Sequence, residues 1–369
     1  MSDPIPLARP SLGRDESDAL AAVIESRRLS RGSQLAAFEA AMADLTGAAG
    51  AVGVNSGTAG LQFALQALGI GPGDEVITVS FTFVGTVNAI VHTGAGVVLV
   101  DIDPATSNVD PRALADAITP RTRAVVVVHL FGRPAPMDTI LALARRHGLA
   151  VIEDACEAAG SRYQGRAVGG LADAGVFGFY ANKSVATGEG GMIVAHDERV
   201  LTRCRQLRNQ GNDTVTDTRD ESAAGFSARL SELHAALGNV QLARLDRSLA
   251  LREDVAAAYA SRLAGTRGVE LPAPAAPGDR IAWFTYPVRL PDAASRDRVF
   301  ATLRARGIEC GRYFDPVHRL PFHLGRHRCL PLPITDDIGA RSLGLPLFPE
   351  MTPQQIERVC VDMAQALEA

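Results

Sequence analysis

The 369-residue chain has almost no lysine: among its 37 basic residues, Lys183 is the only lysine and all the others are arginine. It also has no basic surplus, since its formal net charge is −4, so neither nucleic acid nor an anionic membrane is expected as a partner. No apolar run approaches a membrane span in length, and residues 1–10 do not resemble a signal peptide. The five cysteines include no CxxC pair, which favours reduced thiols in the cytoplasm over a zinc site or disulfide framework.

Short apolar runs alternate with helical patterns in the first half of the chain. The runs 97–100, 124–128 and 149–152 are rich in Val and Ile or Leu and too short for helices, whereas 111–118 and 137–147 have helical patterns. Such alternation predicts an α/β fold, in which a largely parallel sheet lies between helices.

Two later runs depart from this alternation. Residues 175–180 and 191–195 have strand patterns, but only a Gly-containing loop separates them. Because no helix fits between them, the sheet is expected to be mixed in this region.

The length of the chain predicts two domains. We place a large domain at residues 1–246 and a smaller C-terminal α+β domain at residues 247–369. The smaller domain begins before a Pro-, Ala- and Gly-rich stretch (271–278), which a strand (283–290) and a helix (295–307) follow.

Two local patterns precede this boundary. Leu233, Leu237 and Val240 recur at helical spacing and predict an apolar stripe on a helix. The polar segment 212–221 is expected to be a loop.

The first candidate site residues lie in the run Asn-Ser-Gly-Thr-Ala at 55–59, after a short strand at 51–54. A helix with Leu61, Leu65 and Leu68 on one side follows. The N–H groups of a first helical turn have no internal partners and attract anions, so the run is a candidate phosphate seat. A simple N-cap with a glycine that eases the turn explains the same residues.

A second group of candidates ends the buried strand near residue 152. Glu153 and Asp154 follow this strand, and ligands of open α/β sheets bind at the carboxyl ends of strands. An Asp there can pair with a cationic ring nitrogen, whereas a solvated strand end or a helix cap is the alternative. Glu157 lies three residues further along and faces the same crevice if a helical turn follows.

Lys183 follows the apolar strand at 175–180 and precedes the loop 187–191. Partial desolvation favours the neutral amine that Schiff-base chemistry needs. A surface lysine after a strand is the ordinary alternative. The use of arginine at every other basic position indicates that this position needs an amine.

Aromatic and histidine side chains form a further group. Phe83 is a candidate to stack on a planar cofactor, with core packing as the alternative. His129 ends a strand and either lines the crevice or is a satisfied strand-end histidine. His318 and His323 indicate a polar wall; a metal site is disfavoured because Asp315 is the only supporting ligand nearby.

In combination, these features resemble the sugar aminotransferases of the DegT/StrS group, which are fold-type I pyridoxal-phosphate enzymes. The resemblance covers nearly the whole chain and rests on the stretches 55–59, 71–76, 80–84, 100–103, 153–157, 179–183, 187–192, 229–236 and 313–321.

The resemblance implies roles for residues around the ring of pyridoxal 5'-phosphate. Lys183 would hold the cofactor as a Schiff base and later move the proton between cofactor and substrate carbons. Asp154 would keep the pyridinium nitrogen protonated, and Phe83 would stack on the ring. Glu157 would lie near the ring and its oxygen. A lysine at position 183 favours transamination, because a histidine there marks the dehydratases of the group.

The resemblance also assigns the cofactor phosphate to Gly57, Thr58 and Ala59. Two positions depart from the pattern of relatives, which usually carry a serine where this chain has Gly178 and an asparagine where it has Ser227. The residue at 227 reaches the phosphate of the partner subunit in relatives, so a homodimer with the active site at its interface is implied.

The implied reaction moves an amino group from L-glutamate or L-glutamine to a keto sugar. The loop 187–191 resembles that of enzymes that aminate C4 of nucleotide-linked 4-keto-6-deoxy sugars, with Glu189, Tyr313 and His318 as the expected substrate contacts. The alternatives are a keto-cyclitol substrate, a lyase, cyclase or epimerase on the same scaffold, and a non-enzymatic cofactor-binding regulator.

Overall fold

The computed structural model describes residues 3–213, 218–219 and 224–368. Its strands are β1 (Gly50–Val54), β2 (Glu75–Val79), β3 (Gly96–Val100), β4 (Thr122–Val128), β5 (Ala150–Asp154), β6 (Arg162–Tyr163), β7 (Arg166–Ala167), β8 (Ala174–Gly178), β9 (Gly191–Ala195), β10 (Asn212–Asp213), β11 (Thr218–Arg219), β12 (Tyr286–Arg289), β13 (Arg328–Cys329) and β14 (Ser342–Leu345). Its helices are α1 (Arg14–Ser26), α2 (Ser33–Thr46), α3 (Gly57–Ala67), α4 (Val84–Thr93), α5 (Pro111–Ala117), α6 (Met137–His147), α7 (Glu198–Arg208), α8 (Glu232–Ala243), α9 (Leu245–Leu263), α10 (Ala293–Ala305), α11 (Pro333–Arg341) and α12 (Pro353–Glu368).

Eight strands form the central sheet in the order β1-β9-β8-β5-β4-β2-β3-β13. From β8 to β13 each neighbouring pair is parallel, whereas β9 is antiparallel to both β1 and β8. The prediction of a mixed, mostly parallel sheet is therefore confirmed. The antiparallel β9 follows β8 after a loop without a helix, as the spacing of these runs predicted.

Each central strand serves two hydrophobic cores, because alternate side chains point to opposite faces of a sheet. On β4, Val126 belongs to a core with Leu61 of α3, whereas Val125 and Val127 belong to a second core with Ile140 of α6. Helices thus cover both faces of the sheet. This arrangement explains why the strands are runs of Val and Ile without polar alternation.

The carboxyl ends of the parallel strands meet at one edge of the sheet. Ser80, His129, Asp154 and Gly178 lie at the ends of β2, β4, β5 and β8, and the helices α3 and α4 begin at the same edge. Chemistry-bearing residues from distant parts of the chain are therefore close together here.

Helix α8 buries its small residues rather than its larger apolar ones. Its buried residues include Ala235, Ala236 and Gly238, and a Cβ added at Gly238 would lie 2.5 Å from the ring of Phe38. The predicted stripe of Leu233, Leu237 and Val240 is only half-buried. All three residues lie on α8, as predicted, and the close approach of α2 explains why the small residues rather than this stripe are buried.

Other differences concern element ends. The strand expected at 283–290 is shorter, at Tyr286–Arg289, and the helix expected at 295–307 begins and ends two residues earlier. Most of the loop expected at 212–221 lies outside the described residues; Asn212–Asp213 and Thr218–Arg219 pair as a short antiparallel ribbon.

The C-terminal part has its own core around Tyr259, Tyr286 and Phe348. The predicted boundary after residue 246 falls inside α9, Ile5 near the N-terminus pairs with Ile308, and β13 joins the central sheet. The division into two domains stays a prediction. Among the described residues, no helix combines the length and the apolar character needed to cross a membrane.

Candidate active site

An open cavity of about 380 Å³ lies at the carboxyl edge of the sheet. Five of the predicted site residues line it: Thr58, Phe83, Asp154, Glu157 and Lys183. They come from the start of α3, the start of α4, the end of β5, the turn after β5 and the turn after β8. The cavity therefore brings together side chains that are up to 125 residues apart in the chain, as the difference between positions 58 and 183 shows.

The amine of Lys183 lies beside a carboxylate. Its Nζ is 3.5 Å from Oε1 of Glu157, whose Oε2 accepts a 2.8 Å hydrogen bond from the backbone N–H of Phe131. Both side chains are largely buried, with 16% and 8% exposed. Burial raises the pKa of Glu157, although the charge of Lys183 acts in the opposite direction.

Asp154 is buried and held from two sides. Its Oδ2 accepts a 2.7 Å hydrogen bond from the hydroxyl of Thr86, and its Oδ1 accepts a 3.2 Å bond from the backbone N–H of Cys156. Since only 6% of Asp154 is exposed, a solvated strand end is excluded. The carboxylate is oriented at the wall of the cavity, where it can meet a cation.

The start of α3 forms a close-packed seat. The hydroxyl of Ser56 accepts from the N–H of Ala59 and caps the helix, as the N-cap reading of the sequence predicted. A Cβ at Gly57 would lie 2.6 Å from Sγ of Cys156, and one at Gly178 would lie 3.3 Å from Cβ of Cys156. Cys156 therefore packs against both glycines, and a side chain at Gly57 would force the start of α3 or Cys156 to shift.

Phe83 is exposed rather than packed in the core. It precedes the first residue of α4, lines the cavity and is 58% exposed. The alternative of core packing is therefore wrong. An exposed aromatic ring at the mouth of a cavity is available for stacking on a planar ligand.

Six predicted site residues are not among those that line the cavity: Gly57, Ala59, Ser227, Glu189, Tyr313 and His318. Ser227 is exposed and accepts a 2.9 Å bond from Arg229, and Glu189 is exposed in the loop before β9. Tyr313 is half-buried, and burial raises its pKa to about 12. Both ring nitrogens of His318 have partners, and burial lowers its pKa.

Two strand-end residues have structural roles. His129 and Glu153 are fully buried, and their side chains are 2.9 Å apart. Glu153 also accepts hydrogen bonds from the backbone of residues 169, 171 and 172. His129 is therefore a satisfied strand-end histidine and does not line the crevice. His323 is also buried, and its ring contacts His327 at 2.8 Å rather than the cavity.

Residues 10–364 match the DegT/DnrJ/EryC1/StrS aminotransferase family. The chain belongs to that family. GDP-perosamine synthase of Caulobacter vibrioides is 41% identical over 370 residues, which cover 98% of each chain. The structure of DesV from S. venezuelae has a TM-score of 0.92 and 36% identity over 100% of both chains. DesI, solved in the presence of its TDP-sugar product, has a TM-score of 0.92 and 35% identity over 100% of this chain and 94% of its own.

Family membership confirms the prediction of a sugar aminotransferase that depends on pyridoxal 5'-phosphate and has the α/β fold of fold type I. It also favours an enzyme over a non-enzymatic regulator. The roles of individual residues in this family member stay predictions.

The residues present fit the cofactor. Asp154 offers a buried, oriented carboxylate to a cationic ring nitrogen, the N-terminus of α3 offers N–H groups to a phosphate, and Phe83 offers an aromatic face. Lys183 offers the chain's only side-chain amine. Each chemical feature of pyridoxal phosphate thus has a complementary group in or beside this cavity.

Three residues of this aminotransferase site escaped sequence reasoning. Thr86 donates to Asp154, Cys156 packs against the seat, and the ring of Phe284 lies 4.2 Å from Nζ of Lys183. Thr86 had a usable signal, because it lies three residues after Phe83 and therefore on the same face of the first helical turn. Nothing in the sequence connects the apolar Phe284 with a lysine 101 positions earlier, as the difference between 284 and 183 shows.

Proposed function

We propose that this enzyme transfers an amino group from L-glutamate or L-glutamine to the keto carbon of a nucleotide-linked 4-keto-6-deoxy sugar. The observation that carries the proposal is the position of Lys183, the only lysine, beside Glu157 and in one cavity with Asp154. The whole-length similarity to GDP-perosamine synthase and to DesI, solved with a TDP-sugar product, supports a sugar nucleotide as the acceptor.

The cofactor would be held by residues from four parts of the chain. Lys183 would attach it through Nζ, Asp154 would face the ring nitrogen, and Phe83 would cover the ring. The backbone at Gly57, Thr58 and Ala59 would bind the phosphate at the positive end of α3. When bound, pyridoxal phosphate supplies an electron-withdrawing ring that stabilises negative charge on the adjacent carbon.

Lys183 is the group that moves protons in this proposal. Its amine takes the proton from the carbon of the amino donor and returns one to the carbon of the acceptor. Glu157 lies 3.5 Å away and stabilises the charged state of the amine after each proton is taken up. The N–H of Phe131 keeps the Glu157 carboxylate in this orientation.

In this proposal the second substrate contacts residues other than those that line the cavity. Glu189, Tyr313 and His318 are proposed to contact the sugar nucleotide, although they do not line the cavity of a single chain. Exposed Glu189 belongs to the loop before β9, next to the turn that carries Lys183. Tyr313 lies 5.7 Å, between ring centroids, from the Phe284 ring that contacts the lysine.

A homodimer would complete the site. Exposed apolar residues occur on α1 and near α8. Leu29 is one of them, and its carbonyl accepts a hydrogen bond from the N–H of Glu232. Phe226, which is beside Ser227 in the sequence, is 45% exposed. Helix α8, which carries the half-buried stripe, packs against α1. Pairing of this face would place Ser227 of one copy at the phosphate of the other. Sedimentation equilibrium should give twice 38.9 kDa, whereas a fully active single chain would refute the dimer.

The cytoplasm is the proposed location. All five cysteines of the structure are free thiols, and three of them are buried. Unpaired thiols are typical of a reducing compartment.

Product analysis tests the proposed reaction. The enzyme, loaded with pyridoxal phosphate, is incubated with L-glutamate that carries an isotopic label in its amino group and with a GDP- or TDP-linked 4-keto-6-deoxy sugar. Mass spectrometry should find the label in an amino sugar nucleotide, and the Lys183→Ala variant should form none. If the enzyme exchanges its amino group with glutamate but no label reaches the GDP- or TDP-linked sugar, a keto-cyclitol becomes the better acceptor.

A further inference from the structure

The amine of Lys183 belongs to a closed circuit of contacts. Nζ lies 3.5 Å from Glu157, and Glu157 accepts the N–H of Phe131. The carbonyl of Phe131 accepts a 3.2 Å hydrogen bond from the N–H of Phe284, and the ring of Phe284 returns to Nζ at 4.2 Å. The Lys183 amine thus lies between the carboxylate of Glu157 and the ring of Phe284, and the backbone of Phe131 is hydrogen-bonded to both residues.

Each of the two backbone segments in these contacts contains a residue with positive φ. Phe131 has φ 57° and Trp283, the residue before Phe284, has φ 40°. Bulky residues rarely adopt this left-handed region, and they remain there only where surrounding contacts hold them. One such contact is the 3.2 Å hydrogen bond from Ala282 to the carbonyl of Gly132.

The buried guanidinium of Arg252 provides another contact. Arg252 lies on α9, is 3% exposed, and donates from one nitrogen to the carbonyls of Trp283 at 3.1 Å and Leu347 at 3.4 Å. Its Nε has no hydrogen-bond partner among the residues that the structure describes, and burial lowers the pKa of Arg252 to about 10. A buried cation is costly unless it is compensated. The two carbonyls accept hydrogen bonds from Arg252, and the charge of Glu350 also favours the cation.

We propose that Arg252 is a positioning residue for the reacting amine: by holding the Trp283 carbonyl, it keeps the ring of Phe284 against Nζ of Lys183. The inference rests on the proposed role of Lys183 and adds a residue from outside the cavity. A residue of the C-terminal part of the chain would thus influence the position of the lysine through the Trp283 carbonyl and the Phe284 ring.

Cofactor attachment to the single lysine provides a readout separate from turnover. Pyridoxal phosphate is added to the cofactor-free full-length protein, samples are reduced with borohydride at intervals, and peptide mapping counts only cofactor trapped on Lys183. Phe284→Leu and Arg252→Met should each slow trapping by about tenfold, because misplacement of a reacting group by about 1 Å has effects of this order or larger. Arg252→Lys, which keeps a donor for the carbonyl, should recover most of the rate.

Arg296 offers a matched control. It is also a buried arginine of the C-terminal part, and it donates to the carbonyl of Gly339 and to Asp297 rather than to residues 281–284. Arg296→Met should lower the melting temperature and leave the trapping rate at the parental value. If Arg252→Met behaves in the same way, Arg252 has only a structural role and the proposal is overturned.

A double-mutant cycle decides the question even if Arg252→Met does not fold. Because Arg252 acts through the ring of Phe284, Arg252→Gln, which stays polar but is too short to hold the Trp283 carbonyl, should slow trapping in the parent and have no further effect in the Phe284→Leu background. Equal effects in both backgrounds would refute the proposal. Failure of the proposed function is distinguishable, because it would show as cofactor that remains trapped at another residue in Lys183→Ala.

Discussion

The hydroxyl of Thr86 donates a 2.7 Å hydrogen bond to the carboxylate of Asp154, and this bond joins the first turn of α4 to the end of β5. The N–H of Cys156 occupies the other carboxylate oxygen. The anion is therefore oriented by the protein before any ligand arrives. A preoriented carboxylate interacts more strongly with a cation than one that must reorganise.

Loss of the Thr86 hydroxyl should weaken cofactor binding. Thr86→Val keeps the shape but removes the donor to a charged group, which is typically worth about 1.5–3 kcal/mol. The dissociation constant of pyridoxal phosphate, measured by its absorption or by protein fluorescence, should rise about tenfold or more. Thr82→Val is the control, because Thr82 contacts Thr86 but not Asp154. An equal effect of the two substitutions would contradict the orienting role.

The glycine at the start of α3 should be needed for its small size. In Gly57→Ala the new Cβ would lie 2.6 Å from Sγ of Cys156, so the backbone of the phosphate seat must shift and cofactor affinity should fall about tenfold. Cys156→Ala should restore much of the affinity in the double variant, because it removes the clashing atom. Gly71→Ala, where the nearest atom is 3.8 Å away, should have no such effect. A double variant as weak as Gly57→Ala would refute this steric explanation.

Phe83 should contribute to affinity through its ring. Aromatic contacts of this kind are worth about 0.5–1.5 kcal/mol beyond burial, so Phe83→Ala should weaken cofactor binding by roughly two- to thirteenfold. Phe322→Ala is a matched control, because Phe322 is similarly exposed, at 54% against 58%, and does not line the cavity. Unchanged affinity in Phe83→Ala would exclude stacking.

The raised pKa of Glu157 predicts how its contribution to stability depends on pH. Between its usual value near 4.5 and the raised pKa, the folded cofactor-free protein binds more protons than the unfolded chain, so stability falls as pH rises. Glu157→Gln lacks this titration. Its melting temperature, relative to that of the parent, should therefore be higher at pH 8 than at pH 5. The opposite trend would show that pairing with Lys183 outweighs burial.

The sequence predicted the parallel strands well, because β4 and β5 are continuous apolar runs that are buried on both faces. The strand pattern alone could not tell Glu153 from Asp154, although the family resemblance pointed to Asp154. Alternation places adjacent side chains on opposite faces, but both faces of β5 are buried, so the pattern does not show which acid faces the cavity. Only the packing of residues 169–172 around Glu153 decides this.

Long-range apolar contacts are the part that sequence patterns did not reveal. Phe284 falls within the strand expected at 283–290 but lies just before β12, and Arg252 lies on α9. Their relation to Lys183 depends on how the C-terminal part packs against the loop after β4. The burial of the stripe of Leu233, Leu237 and Val240 could not be predicted for a similar reason. Helical spacing identifies an apolar face, but it does not show whether the chain's own core or another surface covers it.

The most direct test of the central claim is a spectral titration of the enzyme loaded with pyridoxal phosphate. L-Glutamate should abolish the visible absorption band, 2-oxoglutarate should restore it, and Lys183→Ala should show neither the band nor covalently trapped cofactor. A band that forms on Lys183 but does not respond to glutamate or glutamine would contradict transamination and favour a lyase or cyclase. A reducible covalent cofactor in Lys183→Ala would overturn the assignment of the lysine itself.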